Sequence, residues 1–334
     1  MSTMRQVAER AGVSAKTVSR VINNDRYVSD DVRQRVEQAI AELNYVPNAL
    51  ARTFRSGRDT TIGVAVPDIS DPFFATLTRA IEEVARLRGV AVVVTSLGDD
   101  PDNERPGVEA LLSRQITGLI STPTSATQSY LKPWRDRTPM VFIDREPAKL
   151  TADSVVEDDV GGAYAATRHL IEHGHRRIGF LGAPVSIATT PRRLHGYRTA
   201  LAEADITEDP KLVSLVTDDD QASKAVLEQL GLEQPPTALF SSNARCSISI
   251  IPVLQSIDRS DIALVGFGDF PLAASLQPAL TVLDQDPIAV GRTAATRLFD
   301  RIDHPNRRLK RKTVLPVQLV QRGSCGCSSQ PVQP

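Results

Sequence analysis

The stretch "VAERAGVSAKTVSRVINN", Val7 to Asn24, decides what kind of chain this is. Val7, Ala8 and Ala11 fall on one face at helical spacing. Thr3 and Gln6 precede them three apart, the spacing of a capping box, in which a hydroxyl and an amide satisfy backbone groups that a helix start leaves without partners. Gly12 breaks this helix. Ser14 can cap a second one, in which Val18, Val21 and Ile22 recur at i, i+3 and i+4. Asp30 and Asp31 then suit the positive N-terminus of a third helix that buries Val32, Val36, Ile40 and Leu43, and Pro47 ends the unit.

A helix, a glycine turn and a second helix opening on "SAKTVSR" have the layout of a helix-turn-helix, whose second helix enters the DNA major groove with its first residues toward base edges. The side chains fit that task. The Ala15 methyl can pack on a thymine methyl, the Lys16 ammonium can reach guanine O6 and N7, and the Arg20 fork suits bidentate guanine contact. Thr17, Ser19 and Asn23 are short polar groups suited to holding phosphates and setting the register. The same spacing is also met by an ordinary three-helix bundle with solvated polar residues, so pattern alone leaves that alternative open.

Charge distribution points the same way. The 334 residues carry a formal charge of -1, yet up to Thr60 ten basic residues face seven acidic ones. A basic head on an acidic body suits a polyanionic partner for the head only. The length predicts two or three domains. No run of about 18 apolar residues occurs, and the N-terminus lacks the apolar core of a secretory signal, so no membrane contact and a cytoplasmic location are expected. Cys246, Cys325 and Cys327 are odd in number and lack CxxC spacing, which predicts reduced thiols and neither a disulfide framework nor a zinc site.

Beyond Arg58, short apolar runs ("TIGVAV", "ITGLIS", "MVFID", "RIGFLG", "IALVGFG") alternate with amphipathic stretches such as 75–88 and 161–173. This alternation predicts parallel sheets with crossover helices on both faces, and it is too long for one sheet. The economical reading is two doubly wound α/β lobes, about 61–158 and 159–286, within a body spanning 61–322. The polar tail 323–334 has no heptads and is expected to be disordered. Between the head (1–46) and the body lies 47–60, "PNALARTFRSGRDT". A helix this short is marginal in water, so it should form only when something orders it.

The segments "VAERAGVSAKTVSRVINN", "TIGVAVPDISDPFF", "HLIEHGHRRIGFLGAP", "RRLHGY", "LVGFGD" and "PALTVLDQD", in this order from Thr3 to about Arg322, resemble the lactose-repressor (LacI/GalR) family. The resemblance implies a helix-turn-helix head and a periplasmic-binding-protein-like effector domain. It implies a dimeric regulator of transcription, a repressor acting on a pseudo-palindromic double-stranded operator, controlled allosterically by a small polar effector: a sugar, polyol or sugar phosphate. Thr3, Ser14, Ala15, Lys16, Thr17, Ser19, Arg20 and Asn23 then belong to the DNA-contacting set. The 47–60 segment would fold in the minor groove, with Asn48 capping it, Ala51 allowing close approach, Arg52 suiting the groove, and Phe54 wedged between base steps where most of the family has leucine. Packing of Phe54 on the body is the alternative.

Effector contacts implied by the resemblance are Asp71, Phe73, Phe74, Asp144, Arg145, Arg193, Asn243, Asp269 and Gln285. Two departures stand out. Gly268 replaces an aspartate in "GFGD", and Ala244 replaces another in "SNA", so two acceptors for ligand hydroxyls are lost. A solute-binding transport component shares the body's fold, but the head argues against it. His169, His173 and His175 near Glu172 come with no nucleophile elbow, phosphate loop or metal spacing, so neither catalysis nor a cofactor is expected.

Overall fold

The protein is described by a computed structural model covering residues 2–22, 25–45, 61–98 and 100–326. It divides into two compact units, Met1–Asp59 and Thr60–Pro334.

In the first unit, α1 (Met4–Ala11), α2 (Ala15–Ile22) and α3 (Asp30–Glu42) enclose Val7, Val18 and Val36, each wholly buried. The capping box forms: Thr3 Oγ1 accepts from Gln6 N at 3.3 Å while Thr3 N donates to Gln6 Oε1 at 2.8 Å. Gly12 turns the chain at φ 67°, a left-handed conformation that costs a residue with a Cβ about 1 kcal/mol or more. Ser14 Oγ accepts from Thr17 N at 3.1 Å at the start of α2. Arg35 of α3 reaches back to the Ala11 carbonyl at 3.2 Å, which ties the third helix to the turn.

The second unit holds two six-stranded sheets. In the first, β1 (Thr61–Val66), β2 (Ala91–Ser96), β3 (Gly118–Ser121), β4 (Met140–Ile143), β5 (Asp153–Glu157) and β11 (Lys312–Leu315) are all parallel, in the order β11-β5-β4-β3-β1-β2. The second takes β6 (Ile178–Gly182), β7 (Val213–Leu215), β8 (Ala238–Ser241), β9 (Ala263–Phe267), β10 (Thr281–Asp284) and β12 (Gln318–Val320), in the order β12-β10-β9-β8-β6-β7. Only β12 runs antiparallel, against β10. Strands β3, β4, β6, β8 and β9 are buried throughout. Helices cover both faces of such sheets, which is why these strands read as unbroken apolar runs.

Helices α4 (Pro72–Leu87), α5 (Glu104–Leu112) and α10 (Pro287–Asp303) pack on the first sheet; α6 (Asp159–Glu172), α7 (Thr189–Glu203), α8 (Asp219–Leu230) and α9 (Ala244–Ser256) pack on the second. The chain therefore crosses between lobes three times, at Glu157–Asp159, Asp284–Pro287 and Leu315–Gln318. Residues beyond 286 are shared: α10 and β11 complete the first lobe, and β12 the second.

Two expectations need correction. Order extends past 322, because Ser324 Oγ donates to the Leu264 carbonyl at 2.6 Å and accepts from Thr281 N at 2.8 Å, which ties 323–326 to the starts of β9 and β10. Cys325 is wholly buried and disulfide-bonded rather than reduced, whereas Cys246 is a free, buried thiol.

Candidate nucleic-acid interface and inter-lobe cleft

On α2, the chain presents Ala15, Lys16 and Arg20 to solvent, with Thr17 and Ser19 half-buried. The placement follows from the apolar spacing: Val18 and Val21 take the inner face, so the residues between them point outward. Ser14 is engaged at the helix start, with its hydroxyl 2.9 Å from that of Thr17. Arg20 Nε stands 3.5 Å from a carboxylate oxygen of Asp25. Thr3 is exposed, and its hydroxyl and amide belong to the α1 cap. Asn23, Asn48, Ala51, Arg52 and Phe54 lie outside the described residues.

In the second unit, a cavity of about 130 Å³ opens between the lobes. Eight of the nine residues singled out from the sequence line it: Asp71, Phe73, Phe74, Asp144, Arg145, Arg193, Asn243 and Gln285. Asp269 does not. Its carboxylate accepts from both terminal guanidinium nitrogens of Arg322, Nη1 at 3.0 Å, and so anchors the C-terminal return. A second space of about 330 Å³ adjoins this cavity, sharing Ala183, Ile187, Asn243 and Arg245 with it.

Each wall residue is held by local structure. Asp71 caps α4, accepting from Phe73 N at 2.8 Å, and this brings Phe73 and Phe74 to the cleft as an edge-to-face pair with centroids 5.1 Å apart. Asp144 follows β4 in a left-handed conformation, φ 63°, and its carboxylate lies 3.0 Å from Arg145 Nε. Arg145 also donates to the Pro123 carbonyl at 3.0 Å. Asn243 caps α9, its side-chain Oδ1 accepting from Cys246 N at 2.8 Å. Gly268 sits at φ 97°, and a Cβ there would lie 2.9 Å from Gln285 Oε1. The Gln285 amide thus occupies the space that a side chain at 268 would need.

Arg193 is the most constrained cation of the cleft. Nε donates to Asp159 at 2.8 Å, Nη1 donates to the Ser242 carbonyl at 2.7 Å, and the guanidinium lies 3.8 Å from the centre of the Phe267 ring. Asp159, fully buried, also has Arg192 at 3.8 Å. Burial raises the Asp159 pKa, and the attraction of Arg193 only partly offsets this. At Asp71 burial again raises the pKa, opposed by the Phe73 N–H and aided by Asp144 and Asp68. The cavity is therefore lined by carboxylate–guanidinium pairs together with an aromatic wall, an arrangement that offers directed donors and acceptors with little net charge.

Sequence reasoning missed several wall residues: Asp68, Ile187, Thr189, Thr190, Ser242 and Arg245. Thr189 and Thr190 were recoverable, since they precede Arg193 by four and three positions on one helix face. Arg245 was not. It is joined to Asp219 at 3.1 Å, a contact between two helices of one lobe that no spacing reveals. Asp218, which lines the adjoining space, caps α8 by accepting from Gln221 N at 2.8 Å.

The family of bacterial regulatory proteins typified by lacI matches residues 3–48, and that of periplasmic binding proteins and sugar-binding domains of the LacI family matches 59–323. An HTH-type transcriptional repressor, PurR, of Aliivibrio salmonicida is 33% identical over 317 residues, covering 92% of this chain and 95% of that protein. The ribose operon repressor of Escherichia coli is 32% identical over 330 residues, covering 97% and 100%. The lac repressor dimer bound to operator and the anti-inducer ONPF superposes with a TM-score of 0.84 at 27% identity, covering 97% and 99%.

Proposed function

We infer the function from one premise: the chain belongs to the lacI family of bacterial regulatory proteins, matched over both its units. It is accordingly a transcriptional regulator with a DNA-binding head and a ligand-binding body, and not an enzyme. Among the described residues no helix is long and apolar enough to cross a membrane.

Our reading of the finer function is a repressor that works in the cytoplasm, binds a pseudo-palindromic operator as a homodimer, and answers to a sugar, polyol or sugar phosphate in the inter-lobe cleft. The observation that carries it is the cavity of about 130 Å³ whose aromatic edge, Phe73 and Phe74, faces paired carboxylates and guanidinium groups. Apolar ring faces and directed polar partners together suit a polyhydroxylated ring. The effector would act by binding one lobe arrangement better than another, which biases whether the two 47–60 segments of a dimer can fold on DNA.

The test combines genomic footprinting, which names the operator and neighbouring genes, with calorimetric titration of the sugars those genes handle. Heat of binding from one of them, lost in Arg193→Ala, is expected. Binding only to an apolar ligand or a nucleobase would overturn the effector class while leaving the regulator intact.

A further inference from the structure

Glu157, the last residue of β5, is a carboxyl group that the effector reading does not use. It is 3% exposed, and neither side-chain oxygen has a hydrogen-bond partner among the described residues. Its position is a crossing point: β5 lies in the first lobe, and two residues later α6 opens in the second. The nearby groups also come from both lobes.

Every charged neighbour is either repulsive or already engaged. Asp144, on the turn after β4, is paired with Arg145 at 3.0 Å. Asp159, opening α6, is paired with Arg193 at 2.8 Å and approached by Arg192 at 3.8 Å. Asp158, the residue between, caps α6 through Gly161 N at 2.9 Å. Arg193, on α7, attracts Glu157 but is already paired through Nε with Asp159 and through Nη1 with the Ser242 carbonyl. From β11, Leu315 stands opposite Glu157, while Lys312 turns to Glu146 at 2.6 Å, the same carboxylate that holds Arg192 at 3.1 Å. An ionised carboxylate in such a place lacks solvation and a cation of its own and has only its own backbone N–H to support the charge, whereas the neutral acid loses far less on burial.

We propose that Glu157 links a proton to the arrangement of the two lobes: the arrangement seen here holds it as the neutral acid, and an arrangement that admits water to the crossing releases the proton. Burial, reinforced by the negative charges of Asp144 and Asp159, holds its pKa well above the usual carboxylate range. The sign follows. Below the raised pKa the buried arrangement is favoured; as pH rises toward and past it, the wetted arrangement gains, because it alone accommodates the charge at ordinary cost. A regulator built this way reads proton concentration alongside its small effector. The inference needs the two-lobed body but not the identity of the effector, so it stands or falls separately from the sugar reading.

The experiment uses the full-length protein with no ligand added, the proton being the probe. Cysteines introduced at exposed Lys132 and Lys224, one on each lobe, carry spin labels, and the distance between them is measured from about pH 5 to about pH 8. The expected result is a shift of the distance distribution with pH in the otherwise wild-type protein, and a distribution held at its low-pH form in Glu157→Gln, which keeps the shape and cannot ionise. Wild-type distances that ignore pH overturn the proposal, and so does a shift that survives in Glu157→Gln, since another group then drives it. Should that variant not fold, the infrared carbonyl band of a protonated carboxyl in the wild type carries the test: it should fade over the same pH range as the distances change. Absence of that band at about pH 5 overturns the assignment as well.

Discussion

Arg193 carries a charge that is neutralised before any ligand arrives. Asp159 takes Nε, the Ser242 carbonyl takes Nη1, and Phe267 lies against the flat face. Removing one partner of so buried a pair leaves the other uncompensated, so Arg193→Ala should destabilise the second unit by roughly 3–5 kcal/mol, read from urea unfolding, beyond any loss of ligand affinity. Lys16 is the opposite case, exposed on α2 and costing the fold little. On the proposed reading, Lys16→Ala changes base preference at one or two positions of each half-site, measured by binding to a library of operator variants; uniform weakening over all sequences would place Lys16 on a phosphate. Glu157 adds a pH signature. Its folded pKa is raised, so its contribution is present below the unfolded value and is lost as pH rises through the folded one. Glu157→Gln, which removes that loss, should gain stability relative to wild type as pH increases from about 5 to about 8.

At the scale of elements, the head rests on local devices that the sequence spells out. Gly12 at φ 67° has room for a Cβ, the nearest atom being Arg35 Nη1 at 3.7 Å, so the cost of Gly12→Ala is conformational rather than steric. Calorimetry should show a loss of about 1 kcal/mol in the unfolding transition of the head, with the body's transition unmoved. The cleft departs from this simplicity at Gly268. Its backbone at φ 97° strains any residue with a Cβ, and a Cβ there would displace the Gln285 amide from 2.9 Å, so restoring the family's common aspartate is not a neutral change. The three crossings are elements of another kind. Each is only a few residues long, and the acidic crossing at 157–159 has its neighbours in both lobes.

For the whole molecule, a basic head on an acidic body suits association with DNA through the head alone. Operator affinity should fall steeply and linearly on a log–log plot as salt rises, with a slope set by the number of phosphates neutralised, and Lys16→Ala should leave that slope nearly unchanged if it reads bases. A dimeric operator complex also predicts concentration-dependent unfolding of the free protein, checked by repeating the melt at several protein concentrations.

Much of this was legible beforehand for a physical reason. Helix caps, glycine turns, apolar periodicity and unbroken strand runs depend on residues a few positions apart, so Thr3 with Gln6, Gly12, and the alternation after Arg58 announced the head and the α/β body directly. The resemblance extended that reading to the cleft: eight of the nine residues it named are among those that line it. What no local pattern contains is which distant charge meets which. Asp269 fits the effector pattern until Arg322, fifty-three residues away, is seen to hold it. Glu157 carries no signal in the sequence. Only the folded chain, by bringing Asp144, Asp159 and Arg193 around it while excluding water, turns it into an unpartnered acid, because burial and long-range Coulomb interactions are properties of three-dimensional neighbours.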